Sequence, residues 1–402
     1  MKTANEFIEL EQQVLLNTYA RPDFIITRGE GCYLYDSNDK QYLDFVAGIA
    51  VCAFGHADPQ SQAVLAEQAA RLWHCSNLYH TEPQVKLAEF LVKHTFADKV
   101  FFSNSGTEAV EAAIKFARKW ARAHKSQDCY EIISMNRSFH GRTYGALSST
   151  GQTHLHEGFA PMLPGFAFAE FNNLESVRAL VTEKTCAVLV EPVQGEGGIF
   201  PASAEFMLGL RQLCDERGLL LVLDEIQCGF GRTGTFCAHE SYGITPDMMV
   251  VAKPIAAGLP LGAVLLSDAV AAHIKPGDHG TTFGGGPIAT AVALDVLERI
   301  AEPDFMQEIR EKGQYFTQKL LELKTRFETI VEVRSRGLML AVELSIEPKL
   351  LISACAEQGL LICKTGGPAV RFLPPLIVTR AQIDEGVEKL AVALAKLGEK
   401  RD

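Results

Sequence analysis

No stretch of this 402-residue chain approaches the roughly 20 consecutive apolar residues that a membrane helix requires, so no membrane partner is expected. Basic charge is also short: 38 Lys and Arg stand against 49 Asp and Glu, a formal net charge of −11. That balance argues against a nucleic-acid partner. C-x-x-C pairs are missing although there are 10 cysteines, and the close Cys/His neighbours, His74-Cys75 and Cys237-Ala238-His239, lack the spacing of a zinc site. No metal is expected. Scattered free thiols in that number imply a reducing compartment, hence the cytoplasm. The opening Met1-Lys2-Thr3-Ala4-Asn5-Glu6 leads into an amphipathic pattern rather than a signal peptide. Internal repeats, linkers and low-complexity runs are lacking too.

What is present reads as a globular α/β chain. Apolar residues make up 47% and charged residues 22%, enough for a large core and two domains. Residues 4–16 have helical spacing of Phe7, Ile8, Val14 and Leu15, and residues 29–45 read as a β meander. Residues 47–51 read as a loop, and helices are expected over 59–72 and 82–93. From residue 100 strands alternate with helices, which implies βαβ units and a parallel sheet. The expected strands are 100–102, 130–134, 187–190, 219–223, 248–251 and 263–266, with helices such as 107–123 and 205–217 between them. Two helical stretches run from 287 to about 327. Strands at 331–333, 338–344, 361–363 and 370–372 and a helix over 380–397 follow. The order suggests an N-terminal segment, 1–53, packing with a C-terminal small domain, 291–402, beside a large domain, 54–290.

Two of these strands end in groups that suggest chemistry. The apolar run Leu219-Leu220-Leu221-Val222-Leu223 leads into Asp224, and Met248 to Ala252 leads into Lys253. Ligands of open α/β sheets bind at the carboxyl ends of the strands. A lysine in a desolvated site has a lowered pKa and can form a Schiff base. An aldehyde cofactor such as pyridoxal 5′-phosphate then needs a carboxylate against its pyridinium nitrogen. The plainer alternative makes Asp224 a turn cap and Lys253 a solvated loop residue. Ser103-Asn104-Ser105-Gly106-Thr107-Glu108 follows a strand and opens a helix, either as an anion site or as a cap with Ser105 at its head. Phe139 in Phe139-His140-Gly141-Arg142-Thr143 could stack on a flat ring or belong to the core. Arg371 is flanked by apolar residues, with Glu196 as its candidate partner. Gly229 to Gly234 fits G-x-G-x-x-G, but it does not directly follow a strand or open a helix, so a dinucleotide is not expected.

Asp224-Glu225-Ile226-Gln227, Gly229-Phe230-Gly231-Arg232-Thr233-Gly234, Pro246-Asp247 and Ala252-Lys253 together resemble the signature of the fold-type I, class III aminotransferases. The resemblance runs from about Tyr19 to Arg371. It implies a large domain with a mostly parallel, seven-stranded sheet between helices, plus a smaller α/β domain. By resemblance, Lys253 is the catalytic Schiff-base lysine, Asp224 pairs with the pyridine nitrogen of pyridoxal 5′-phosphate, and Gln227 contacts its ring hydroxyl. Ser105, Gly106 and Thr107 hold the phosphate, and Phe139 lies over the ring. Arg142 grips the distal carboxylate of the substrate and Arg371 the α-carboxylate of glutamate, with Glu196 beside it. Tyr19 aligns with a substrate-contacting tyrosine. Thr282, in Gly280-Thr281-Thr282-Phe283-Gly284-Gly285-Gly286, reaches the phosphate of a partner subunit, which implies a homodimer with sites at the interface. Relatives often carry Asn where this chain has Gly286.

Gly48-Ile49-Ala50-Val51 looks like the acetylornithine-type members, since ornithine-type members tend to carry an aromatic there. The implied reaction moves the terminal amine of N2-acetylornithine to 2-oxoglutarate, a step of arginine biosynthesis. Succinylornithine, ornithine or 4-aminobutyrate as donor, or a pyridoxal-phosphate aminomutase, are the alternatives.

Overall fold

Adjacent residues of the strand Leu220–Asp224 face opposite ways: Leu220 and Val222 join one apolar cluster, Leu221 and Leu223 another. A strand buried on both faces needs cover on both, and helices supply it. The structure, a computed structural model, describes residues 3–398; Met1 and Lys2 lie outside them. Seven strands form the central sheet in the order Lys99–Ser103, Gly262–Leu266, Met248–Val251, Leu220–Asp224, Thr185–Val190, Glu131–Met135 and Phe166–Ala169. Gly262–Leu266 runs antiparallel to both neighbours and the other pairs are parallel. The mostly parallel sheet is therefore as expected. The edge strand Phe166–Ala169 was not expected: its large and small residues alternate over only four positions.

Gly106–His124 covers one face, burying Val110, Ile114, Phe116 and Ala117. Ala204–Arg217 packs on the other through Phe206, Met207, Leu210 and Leu213.

Two further sheets join the ends of the chain. Ile26–Glu30, Tyr33–Asp36 and Gln41–Asp44 form a meander, and Leu360–Leu361 adds to it in parallel beside Leu43 and Asp44. Ile330–Arg336, Met339–Leu344, Ala369–Phe372 and Cys363–Lys364 form an antiparallel sheet. The single strand expected at 361–363 is thus two: the chain leaves one sheet at Leu361 and enters the other at Cys363. The first helix is shorter than expected, Ala4–Val14, and buries none of its residues.

Residues 47–51 are more ordered than a loop. Ala47, Gly48, Ile49 and Ala50 all have positive φ, between 48° and 66°, a left-handed turn. Left-handed backbone costs roughly 1–2 kcal/mol for each non-glycine residue. Asp44 offsets part of this, because its Oδ1 accepts hydrogen bonds from Val46 N (2.8 Å) and Ala47 N (3.1 Å).

The glycine-rich segment 229–234 is a structural joint. Arg232 is 1% exposed and donates to Leu338 O (3.2 Å) and Pro374 O (2.6 Å), tying the end of the central sheet to the antiparallel one.

Candidate active site

Leu220–Asp224 and Met248–Val251 are parallel neighbours, with Asp224 opposite Val250. Asp224 and Lys253 therefore emerge side by side at the carboxyl edge of the sheet. Between them opens a cavity of about 410 Å³ whose wall includes Ser105, Gly106, Thr107, Phe139, Arg142, Glu196, Asp224, Gln227 and Lys253. Arg371 stands just behind this wall. Its Nη2 lies 2.7 Å from Glu196 Oε1, its Nη1 donates to Gln227 Oε1 at 3.3 Å, and its Nε donates to Cys363 Sγ at 3.2 Å.

At one end, the helix Gly106–His124 begins under a Ser105 cap whose Oγ accepts from Glu108 N, while Glu108 Oε2 accepts from Asn104 N at 2.6 Å. The Gly106 and Thr107 amides have no acceptor among the described residues. A Cβ on Gly106 would lie 2.7 Å from Ile226 Cδ1, so the Ile226 side chain packs directly on the glycine and would have to shift to admit one. Thr107 Oγ1 accepts from Arg142 N and Thr143 N, both at 3.1 Å, which locks the Arg142 loop to the helix start.

At the other end, Asp224 is 4% exposed and fully directed. Its Oδ1 accepts from Ile226 N at 3.0 Å, and its Oδ2 lies 2.7 Å from His140 Nδ1. His140 Nε2 meets Ser134 Oγ at 3.2 Å. A negative charge is thus held at one wall. Burial pulls the Lys253 ammonium below its usual range, against the opposing field of Glu196. Its φ of 39° is left-handed, so the backbone is strained where the amine is presented. Burial, reinforced by the Asp224 charge, raises the Glu191 carboxyl well above the usual carboxylate range.

His140 and Glu191 were not among the residues expected from the sequence. His140 lies in the Phe139 to Thr143 motif, but what gives the two residues meaning is distant in the chain: His140 meets Asp224, and Glu191 accepts from Phe139 N (3.1 Å) and Gly195 N (3.3 Å). Besides Arg371 behind the wall, two expected residues lie away from the cavity. Tyr19 is 70% exposed beside the first helix. Thr282 is exposed in a separate hollow with His74, Asn77 and Phe283. Glu225, Cys237 and His239 approach one another closely. The Glu225 carboxylate is already taken by Ala238 N, His239 N and His239 Nδ1, so the trio is a saturated cap.

Pyridoxal 5′-phosphate fits the residues present. Two free amides at a helix N-terminus suit its phosphate, a clamped buried carboxylate suits its pyridinium, and a lysine of lowered pKa suits its aldehyde.

Three comparisons show which proteins the chain is similar to. The aminotransferase class-III family profile matches residues 16–394. The mitochondrial acetylornithine aminotransferase of Alnus glutinosa is 47% identical over 399 residues, 98% of this chain and 88% of its own. A succinylornithine transaminase of Yersinia pseudotuberculosis is 43% identical, over 96% of each chain. Among solved structures, an ornithine aminotransferase of Toxoplasma gondii with pyridoxal phosphate at partial occupancy superposes with a TM-score of 0.95 at 32% identity, covering 100% of this chain and 96% of its own.

Proposed function

The chain belongs to the class-III aminotransferases, and on that premise we propose that it carries the terminal amino group of N2-acetylornithine to 2-oxoglutarate. The products are N-acetyl-L-glutamate 5-semialdehyde and L-glutamate, which gives the enzyme a place in arginine biosynthesis. The observation that carries this reading is the ion pair of buried Arg371 with Glu196 at the cavity wall. An enzyme for one terminal amine and one α-amino acid must offer a carboxylate site in one half-reaction and hide it in the other.

Bound pyridoxal 5′-phosphate supplies the electron sink that makes the carbon carrying the reacting amine acidic. Gly106 and Thr107 would hold its phosphate, Phe139 would cover its ring, Gln227 would meet its ring hydroxyl, and Asp224 would face its pyridinium nitrogen. His140 keeps Asp224 directed, and the buried position keeps the Asp224 charge strong. Lys253 would hold the aldehyde at rest, and its Nζ, once free, would take and return the proton at the substrate carbon. Its lowered pKa favours the neutral amine that such a base requires. Arg142, exposed at the cavity mouth, suits the distal carboxylate that donor and acceptor share. Arg371 then serves the acceptor's second carboxylate, and Glu196 neutralises it when acetylornithine is bound.

We take the active unit to be a homodimer. Trp73, Leu78, Tyr79 and Phe283, 67–86% exposed, flank the Thr282 loop, an apolar cluster of the kind that suits a protein interface. Thr282 would then reach the neighbouring site. The division at 54 and 291 also remains our reading, supported by the pairing of Leu360–Leu361 with Gln41–Asp44. All ten cysteines are free, which suits the cytoplasm.

The test is a donor panel with purified holoenzyme and 2-oxoglutarate. Acetylornithine should give the highest kcat/KM. A succinylornithine value about tenfold higher, a difference of about 1.4 kcal/mol, would reassign the acyl group to that of the Yersinia relative.

A further inference from the structure

The Glu196–Arg371 pair leaves a charge to be accounted for. When the acceptor's carboxylate takes Arg371, Glu196 becomes a carboxylate only 25% exposed that has lost its ion-pair partner, and such a group is disfavoured. Across the Glu196-Gly197-Gly198 segment lies a second hollow of about 460 Å³, lined by Arg137, Gln152, Gly197, Phe200 and Gly366. Among the described residues Arg137 has no carboxylate within ion-pairing distance. Its guanidinium rests on the Phe200 ring, 4.7 Å from the centroid. Arg334 lies over the same ring at 4.2 Å, but its charge is met by Glu332 and Glu343.

Arg137 begins one residue from Glu196. A Cβ on Gly197 would lie 2.7 Å from Arg137 O and 3.4 Å from Arg137 Cβ. The backbone on both sides is anchored, while each side chain is held by one exchangeable contact, Glu196 by Arg371 and Arg137 by the Phe200 ring. Arg137 has φ 64°, a strained value for a non-glycine residue, fixed by its N–H donating to Gly151 O at 2.8 Å. Glu196 O accepts from Gly366 N at 2.7 Å. With both backbones fixed, exchange of the Glu196 carboxylate between the two arginines is left to side-chain rotation alone.

We propose that Arg137 is a specificity-determining positioning residue: it receives the Glu196 carboxylate whenever a substrate carboxylate occupies Arg371. The proposal rests on the reading of Arg371 given above. It makes the glutamate half-reaction depend on Arg137 and leaves the terminal-amine half independent of it.

The experiment uses holoenzyme with Arg137→Ala, Arg137→Lys, Glu196→Ala and the double variant Arg137→Ala/Glu196→Ala. Binding of glutarate, an unreactive dicarboxylate, and of N-acetylnorvaline, which has one carboxylate, is measured by calorimetry beside single-turnover rates of each half-reaction. Arg137→Ala should weaken glutarate and slow the glutamate half about tenfold, a factor equal to one pair-sized interaction, and leave N-acetylnorvaline and the acetylornithine half within about twofold. Arg137→Lys should restore most of the loss, and in the Glu196→Ala background Arg137→Ala should do nothing further. Equal losses in both halves, or an effect that persists without Glu196, overturns the proposal. A split between halves for Glu196→Ala without one for Arg137→Ala overturns the proposal alone; no split for Glu196→Ala brings down the Arg371 reading and the proposal with it.

Discussion

His56 couples the cavity mouth to pH. Its Nε2 lies 2.7 Å from Asp44 Oδ2, and the other oxygen of Asp44 holds the left-handed turn that leads to Val51 in the cavity wall. Burial pulls the His56 imidazolium down, but the Asp44 carboxylate and the nearby Cys52 thiol outweigh it and raise the pKa from 6.5 to about 9. A raised folded-state pKa contributes stability that is fully present below the unfolded value and is lost as pH rises through the folded one. The shift of 9 − 6.5, about 2.5 units, corresponds to about 3 kcal/mol at about 1.36 kcal/mol per unit. With the side chain only 17% exposed, solvent screening removes little of this. His56→Gln should therefore destabilise the protein strongly at pH 6, and the gap between variant and wild type should close by about 3 kcal/mol between pH 6.5 and pH 10. Urea unfolding of both proteins across that range measures it. A gap independent of pH would mean that His56 stays neutral and the pair is an ordinary hydrogen bond.

Four other outcomes are expected. Glu196→Ala should slow the acetylornithine half-reaction about tenfold more than the glutamate half, and Arg371→Ala should do the reverse, each about 1.4 kcal/mol of transition-state stabilisation in single-turnover rates; equal losses would make the pair purely structural. Lys253→Ala should abolish turnover by many orders of magnitude, and borohydride treatment of wild type followed by peptide mapping should find cofactor on Lys253 and on no other lysine. His140→Ala leaves Asp224 Oδ2 without its hydrogen-bond partner, so it should lower stability by about 1–3 kcal/mol and reduce kcat, whereas unchanged Tm and kcat would deny His140 any role. Thr282→Val mixed with Lys253→Ala should regain activity as subunits exchange, and no rescue despite proven exchange would place each site within one chain.

The legible parts of the fold were those where one physical requirement dominates a short run. Residues 219–223 and 248–251 are apolar because both faces are buried, and their ends located Asp224 and Lys253. Strand direction is another matter. Gly262–Leu266 is as apolar as its neighbours, and nothing in its composition says that it runs backwards. Leu361 and Cys363 read as one strand because local pattern does not reveal a change of sheet. The role of His140 is not legible locally because its partner Asp224 is 84 positions away. Arg137 carries no sequence signal at all: its place beside Glu196 follows from the contact of two backbone turns. The left-handed turn at 47–50 reads as loop in the sequence because alanine and isoleucine do not announce positive φ as glycine does.

Transfer of a terminal amine to 2-oxoglutarate is tested most directly by following the nitrogen. N2-acetylornithine labelled with 15N on its side-chain amine only, incubated with holoenzyme and 2-oxoglutarate, should yield glutamate carrying the label on its α-nitrogen, one for each semialdehyde formed. Label released as ammonium, or glutamate formed without label, would contradict the assignment.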